Sequence, residues 1–414
     1  MKSYHSWAFS LMDGSSAHCP EWIANKISDA GGSISFHQYM DWALNDPEHG
    51  AYSSGHLKLG RKGDFATSPS LGSEFAELLG CQLVDWLEQL QKKNINNLPL
   101  SLIEAGPGEG DLVFDLIRVI SEISPYIFSK LELLLVDINE GMIEKQKKLL
   151  SSISTIPIRW ASLDELSENP VIGVILAHEV LDALPVERII FRDGELFRQG
   201  IKLQVVRSKQ KLSYVELPLS LNIKESLSEF QDTLSIQIPP EDISNGWCSE
   251  LHLDLKQWMS KASKSLIFGS MLIIDYALEA GRYYKASRNN GTLMSYRNQS
   301  ASSEVLNNPG YYDITSHLCI DVLKFFADKS NWNYLGEARQ GLALLALGLS
   351  ERLYSLQKLP NDQLAAALAR REALLRLVDP AGLGEFRWMA FQVDNENRYL
   401  KGSLTTKFLA NPDG

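Results

Sequence analysis

The chain reads as an α/β protein built on a mainly parallel sheet, and three stretches predict that class. An apolar run at 100–105 passes Glu104 and enters a turn carrying Gly106, Gly108 and Gly110, after which apolar residues recur at helical spacing through 112–120. A second run, 131–136, stops at Asp137, and a third, 171–177, is followed by Glu179 and Asp182. Runs that are apolar at nearly every position suit strands covered on both faces, the usual environment of parallel strands. The first turn has the character of a nucleotide-handling loop. Glycine lets the backbone take positive φ and lets a ligand approach, and the first N–H groups of the new helix face whatever sits there.

A length of 414 residues exceeds one ordinary core, so two compact units, or one core with large insertions, are expected. The formal charge of −11 argues against a general nucleic-acid binder, which needs a basic face for phosphates. Cys19, Cys81, Cys248 and Cys319 include no C-x-x-C pair, so neither a zinc site nor a disulfide framework is expected. No apolar stretch approaches the length that spans a bilayer, and membrane insertion is not expected. Asp13, Glu21 and Asp29 precede the first arginine, Arg61, which is the pattern of neither a signal nor a transit peptide; the expected location is a reducing, bacterial-type cytoplasm.

Taken in order, 20–52 predicts helix, turn and helix: Trp22, Ile23 and Ile27 share a face, Gly31-Gly32 interrupts, and Phe36, Tyr39, Met40, Ala43 and Leu44 resume the period before Pro47. A polar, glycine-rich loop at 53–63 leads into Thr67-Ser68-Pro69 and a long amphipathic helix through Phe75, Leu79, Leu83 and Trp86. After the three apolar runs, Asp193-Gly194 marks a hairpin, and 203–260 loosens into polar strand-like pieces and a helix near 251–259, the pattern of an insertion. The sheet returns at 266–276. A polar excursion at 280–317 follows, then helices from Asp321 and across 363–377, and a final strand at 386–393.

The glycines select the ligand. A dinucleotide fingerprint, G-x-G-x-x-G, would put its third glycine at Asp111, whereas the chain has G-x-G-x-G with acids at Glu104, Glu109 and Asp111. An acidic rim suits a cationic sulfonium and an amino group better than a pyrophosphate, so S-adenosylmethionine is favoured over NAD. Asp137, at the end of the second strand, is placed to accept hydrogen bonds from two ribose hydroxyls, although an acid there can also cap a helix. Glu179 and Asp182, three apart, would share one face of a helical turn at the carboxyl edge of the sheet. His178-Glu179 does not extend to the zinc motif H-E-x-x-H, because Asp182 stands where the second histidine is required, and no metal is expected.

Several segments together carry a family resemblance: Ala43 to Gly50, Gly63 to Pro69, Glu104 to Gly108, Ala177 to Val186, Ile274-Asp275-Tyr276, Pro309 to Thr315, and Asp379 to Gly384. On these the chain resembles the MidA proteins, class I methyltransferases related to the mitochondrial complex I assembly factor that dimethylates an arginine. The resemblance implies a Rossmann-like class I methyltransferase sheet, parallel except for an antiparallel last strand, with a helical N-terminal region and two insertions. Its domains would be 1–98, completing the site; 99–202 and 264–396, the core, with a substrate-side excursion at 280–317; an inserted subdomain at 203–263; and a tail at 397–414. It implies S-adenosylmethionine bound by Glu104, Gly106, Gly108, Gly110, Asp137, Asp64, Thr67 and Ser68, with Glu179 and Asp182 orienting the acceptor guanidinium. It also implies a protein substrate, a subunit of a complex I-type NADH dehydrogenase, and a homodimer. Where the family has G-P-G-R-G-T, this chain carries Glu109 and Asp111, and Ser70 stands in place of an acid. A catalytically silent, cofactor-binding assembly factor and a small-molecule methyltransferase are the alternatives; Glu179 and Asp182 could equally hold the cofactor.

Overall fold

The three apolar runs become adjacent strands of one sheet. The computed structural model describes residues 17–57, 67–206, 209–297 and 300–411. In it β1 (Leu100–Ala105) lies between β2 (Leu131–Val136) and β4 (Val171–His178), parallel to both. β3 (Ile158–Trp160) extends the sheet beyond β2, and β5 (Leu266–Asp275) runs parallel to β4. β6 (Asn333–Arg339) forms the other edge, and β7 (Arg387–Asp394), the last strand in the chain, lies between β5 and β6, antiparallel to each. The resulting order is β3-β2-β1-β4-β5-β7-β6.

Alternate residues of the central strands feed two cores. Leu100 and Leu102 of β1 and Val174 and Leu176 of β4 pack on one side, with Phe75, Leu79 and Trp86 of α1 (Glu74–Lys93) and Val113 and Ile120 of α2 (Asp111–Ile123). Ile103, Ala105, Ile175 and Ala177 pack on the other, with Met259 of α3 (Leu255–Lys264) and Phe325 and Phe326 of α4 (Ile320–Lys329). Apolar side chains on both faces explain why these strands read as continuous runs. The two edge strands do not: β3 has only three residues, none fully buried, and β6 mixes Asn333, Glu337 and Arg339 with apolar residues.

A second, six-stranded sheet gathers the N-terminal region and the segment between β4 and β5. Its central strand, Glu195–Val206, pairs antiparallel with Glu187–Arg192 on one side and Lys209–Leu217 on the other. The break expected at 202–203 therefore falls inside a strand, and the hairpin around Asp193-Gly194 belongs to this sheet rather than to the parallel one. The interruption expected at Gly31-Gly32 leads into a further short strand, Ser33–Ser35, which pairs with the same central strand. Ser35 then caps the helix Phe36–Asn45, its hydroxyl accepting the Gln38 N–H at 3.0 Å. This helix buries Phe36, Tyr39, Met40, Ala43 and Leu44 in a third core, leaving His37, Asp41 and Asn45 to look toward the parallel sheet's carboxyl edge. Within the 280–317 excursion, strands Met294–Arg297, Ser300–Ser302 and Asp313–Thr315 form a small antiparallel sheet. Among the described residues, no helix is long and apolar enough to cross a membrane.

Candidate active site

Four adjacent strands deliver acids to one edge. Glu104 is the penultimate residue of β1, Asp137 follows β2, Glu179 follows β4, and Asp275 ends β5. Ligands in open α/β sheets bind at this edge. A cavity of about 590 Å³ lies there, walled by residues 104–109 of the glycine turn, by Asp137–Asn139, by His178–Val180, and by His37, Asp41, Asn45 and Tyr52 of the N-terminal region.

The turn after β1 requires glycine at its first position. Gly106 has φ of +65°, and a Cβ there would meet the Val180 Cγ2 at 2.4 Å, so a side chain is barred by both backbone and neighbour. Gly110, with φ of +97°, stands at the N-cap of α2 and receives the Phe114 N–H at 3.0 Å. Glu104 is 3% exposed, and its Oε2 has no hydrogen-bond partner. Burial, and then the negative charge of Asp111, raise this carboxyl to about 8.

Asp137 is held rather than free. Its Oδ1 accepts the Asn139 N–H at 2.9 Å, and its Oδ2 accepts Nε2 of the fully buried Gln146 at 2.8 Å. The same Gln146 amide donates to the Gly108 carbonyl at 2.8 Å and accepts the Trp160 indole N–H at 2.8 Å. One glutamine thus ties the end of β2 to the glycine turn and to β3. The acids that interrupt the turn are accommodated separately: Glu109 pairs with Lys145 at 2.9 Å, and Asp111 sits in the first turn of α2, where the helix field favours negative charge.

Beyond β4 the chain does not form the helical turn that Glu179 and Asp182 were expected to share. The N–H groups of Leu181 and Asp182 both donate to Oδ2 of Asp275, at 3.1 and 3.2 Å, which draws the segment against the end of β5. Glu179 takes φ of +50°, and its N–H bonds the Ile274 carbonyl at 2.9 Å. A non-glycine residue in that region carries backbone strain, which the strand edge over-determines. Its carboxylate lines the cavity, with Oε1 accepting the Ser68 N–H at 3.3 Å. Asp182 lies behind it, buried with Asp275 and with Asp313, whose Oδ1 accepts the Tyr52 hydroxyl at 2.8 Å. Burial first, then the neighbouring acids, raise Glu179 to about 8 and Asp182 well above the carboxylate range; Asp275 rises to about 7, mainly by burial.

The expected site residues therefore separate. Glu104, Gly106, Gly108, Asp137, Thr67 and Glu179 share the cavity wall. Gly110 shapes the turn behind it, and Asp182 backs Glu179. Ser68, expected at the cofactor, is fully buried, with its N–H on Glu179 and its hydroxyl accepting from the Gln340 amide at 3.2 Å. Asp64 lies outside the described residues. Asp275, Asp313, Tyr52 and His178 were not singled out as site residues. For Asp275 the signal was present: it ends a strand at the same edge as Asp137.

Residues 78–338 match the family model "Putative S-adenosyl-L-methionine-dependent methyltransferase". The chain belongs to this family. Among curated proteins, it is 25% identical to the Drosophila melanogaster protein arginine methyltransferase NDUFAF7 homolog, mitochondrial, over 387 residues, covering 87% of this chain and 81% of that one. It is also 25% identical to the Danio rerio protein arginine methyltransferase NDUFAF7, mitochondrial, covering 94% and 90%. A solved Burkholderia thailandensis structure bound to S-adenosyl-homocysteine superposes with a TM-score of 0.77 at 24% identity, over 92% of each chain, and shows the shared fold.

The cofactor of this methyltransferase family is S-adenosylmethionine, and the residues present fit it. The glycine turn leaves room where a Cβ would intrude, Glu104 lines the cavity and has a buried oxygen without a partner, and Asp137 lines the same cavity at the end of the next strand.

Proposed function

We propose that this methyltransferase acts on arginine side chains of a protein, with Glu179 as the group that receives the acceptor guanidinium. The observation that carries the reading is the position of Glu179. It shares one cavity with the glycine turn and Asp137, yet it stands on the next strand over, backed by two further buried carboxyls. S-adenosylmethionine supplies an electrophilic methyl group when bound. Glu104 and the turn from Gly106 to Gly110 would hold its amino-acid portion, and Asp137 its ribose. Thr67 faces the same cavity.

The acid cluster suits a cationic acceptor. Burial disfavours the charges of Glu179, Asp182 and Asp275, and neighbouring acids add to this for Glu179 and Asp182. A guanidinium, always charged at neutral pH, supplies the countercharge that lets Glu179 ionise, and its planar fork matches a carboxylate. Glu179 then orients the attacking nitrogen and withdraws charge as the proton leaves. Asp182 acts from behind, through the charge of the cluster. The names of the curated relatives, protein arginine methyltransferases, support arginine over other acceptors. The sequence resemblance extends the reading to a subunit of a complex I-type NADH dehydrogenase and to a homodimer.

The test uses the full chain, methyl-labelled S-adenosylmethionine and extract from cells lacking this gene. Label recovered as methylarginine after protein hydrolysis is the expected result. Label confined to small molecules, or to another amino acid, would overturn the arginine reading.

A further inference from the structure

His178, the last residue of β4, is used neither by the cofactor half of the site nor by the acid cluster. Its side chain is 6% exposed and lines the same cavity as Glu179. The ring sits in an aromatic slot, 5.2 Å from the Phe75 ring and 6.5 Å from the Phe386 ring between centroids. Nε2 lies 3.2 Å from Oε1 of Glu179, but its alignment there is too poor for a hydrogen bond, and it is buried without any other partner. A buried ring nitrogen without a partner costs free energy unless some state of the protein satisfies it. Hydrogen bonds within catalytic sites are often misaligned in the empty enzyme and tighten when the substrate is in place.

We propose that His178 is a positioning residue for Glu179: its Nε2–H donates to the Glu179 carboxylate and holds it ionised and turned toward the acceptor nitrogen. The proposal rests on the reading of Glu179 as the acceptor-facing acid. Methyl transfer to a guanidinium forms one N–C bond, breaks the C–S bond with its electron pair left on sulfur, and frees one proton from the nitrogen. Glu179 must be a carboxylate to take that proton. The surroundings oppose ionisation: Asp275 ends β5 and Tyr276 follows it, Asp182 comes from the turn after β4, Asp313 and Tyr296 from the small sheet and Tyr52 from the N-terminal region, while Phe75 and Phe386 offer no polar atom. Two donors counter them, the Ser68 N–H already on Oε1 and the His178 ring beside it. Burial lowers His178 to about 3, so the ring is neutral and can donate without adding a cation that would repel the guanidinium.

The test compares wild type with His178→Phe, which refills the slot but cannot donate, and His178→Gln, which can. Infrared difference spectra of protein labelled with 13C-glutamate, taken with and without Glu179→Gln, read the titration of Glu179 directly. In His178→Phe this titration should move up by about one to two pH units, the loss of one hydrogen bond to a charged group. The acid limb of kcat/KM should move with it, kcat should fall more than KM rises, and His178→Gln should recover most of both. S-adenosyl-homocysteine affinity should stay within about threefold, and 15N NMR should show a neutral ring protonated at Nε2. A Glu179 titration unmoved in His178→Phe, or a ring protonated at Nδ1 alone, overturns the proposal whatever the activity does. A titration that moves while the acid limb does not removes Glu179 from the acceptor side and overturns the reading beneath it.

Discussion

Replacing Asp137 separates its contact with the cofactor from its structural duty. A carboxylate offers about four acceptor positions, and Asn139, Gln146 and the Ile138 N–H all donate to this one. Asp137 lines the cavity, where a ribose would meet its carboxylate. Asp137→Ala removes the ribose acceptors and also strands the Asn139 N–H and one arm of Gln146. Loss of a hydrogen bond to a charged group costs about 1.5–3 kcal/mol, so S-adenosyl-homocysteine should bind roughly 10- to 100-fold more weakly by calorimetry. Gln146→Ala is the control. It severs the tie between Asp137 and the Gly108 carbonyl but leaves the carboxylate in place, so it should cost stability and only a few-fold in affinity. Asp137→Asn keeps one acceptor and should fall between them. Equal losses in Asp137→Ala and Gln146→Ala would show that Asp137 acts only through the scaffold. An Asp137→Ala affinity within twofold of wild type would refute the ribose assignment.

Three further outcomes are expected. Glu179→Gln should bind S-adenosyl-homocysteine within about threefold of wild type while losing at least about 100-fold in transfer, and joint loss of both would place Glu179 in the cofactor site. Gly106→Ala should lower stability by about 1–3 kcal/mol in thermal or urea unfolding, because its Cβ meets Val180 Cγ2 at 2.4 Å and its φ is +65°. The third outcome concerns the pH dependence of stability. Glu104 and Glu179 release protons near 8 in the fold but near 4.5 when unfolded, so folding takes up protons between those values. Stability therefore declines as pH rises from about 4.5 to 8, by up to about 1.4 kcal/mol per pH unit for each group. Glu104→Gln and Glu179→Gln should each flatten that decline in melts recorded across the range, and an unchanged slope in both would contradict the assigned protonation.

The central strands were legible because burial on both faces leaves one mark, an unbroken apolar run, and the glycine turn because positive φ is costly for other residues. β3 and β6 were illegible for the same reason in reverse: edge strands bury little, so Ile158–Trp160 is too short and Asn333–Arg339 too polar to stand out. The spacing of Glu179 and Asp182 was misleading, since a three-residue interval predicts a shared face only if a helix forms. Here Asp275, almost a hundred residues away, captures the two N–H groups that a helical turn would have used. The burial of Ser68 was not legible because its partners, Glu179 and Gln340, come from distant segments that no local pattern connects to it.

The four acids at the sheet edge divide by strand. Those on β1 and β2 are committed to fixed partners or to an open oxygen: Asp137 is braced through Gln146 to the glycine turn, and Glu104 waits with one unpaired atom. Those on β4 and β5 oppose one another instead, and protonate because nothing in their immediate shell balances more than part of their charge. A site braced on one side and electrostatically loaded on the other discriminates between its two occupants. The braced half is preorganised and binds its ligand at little reorganisation cost, whereas the loaded half changes charge only when a cation arrives. Acceptor binding, which draws on the Glu179 cluster, should accordingly release more protons than S-adenosyl-homocysteine binding, which draws on Glu104 alone, a difference that calorimetry in buffers of different ionisation enthalpy measures directly. Equal proton release on both steps would mean that the two halves share one electrostatic response and that the division by strand is only geometric.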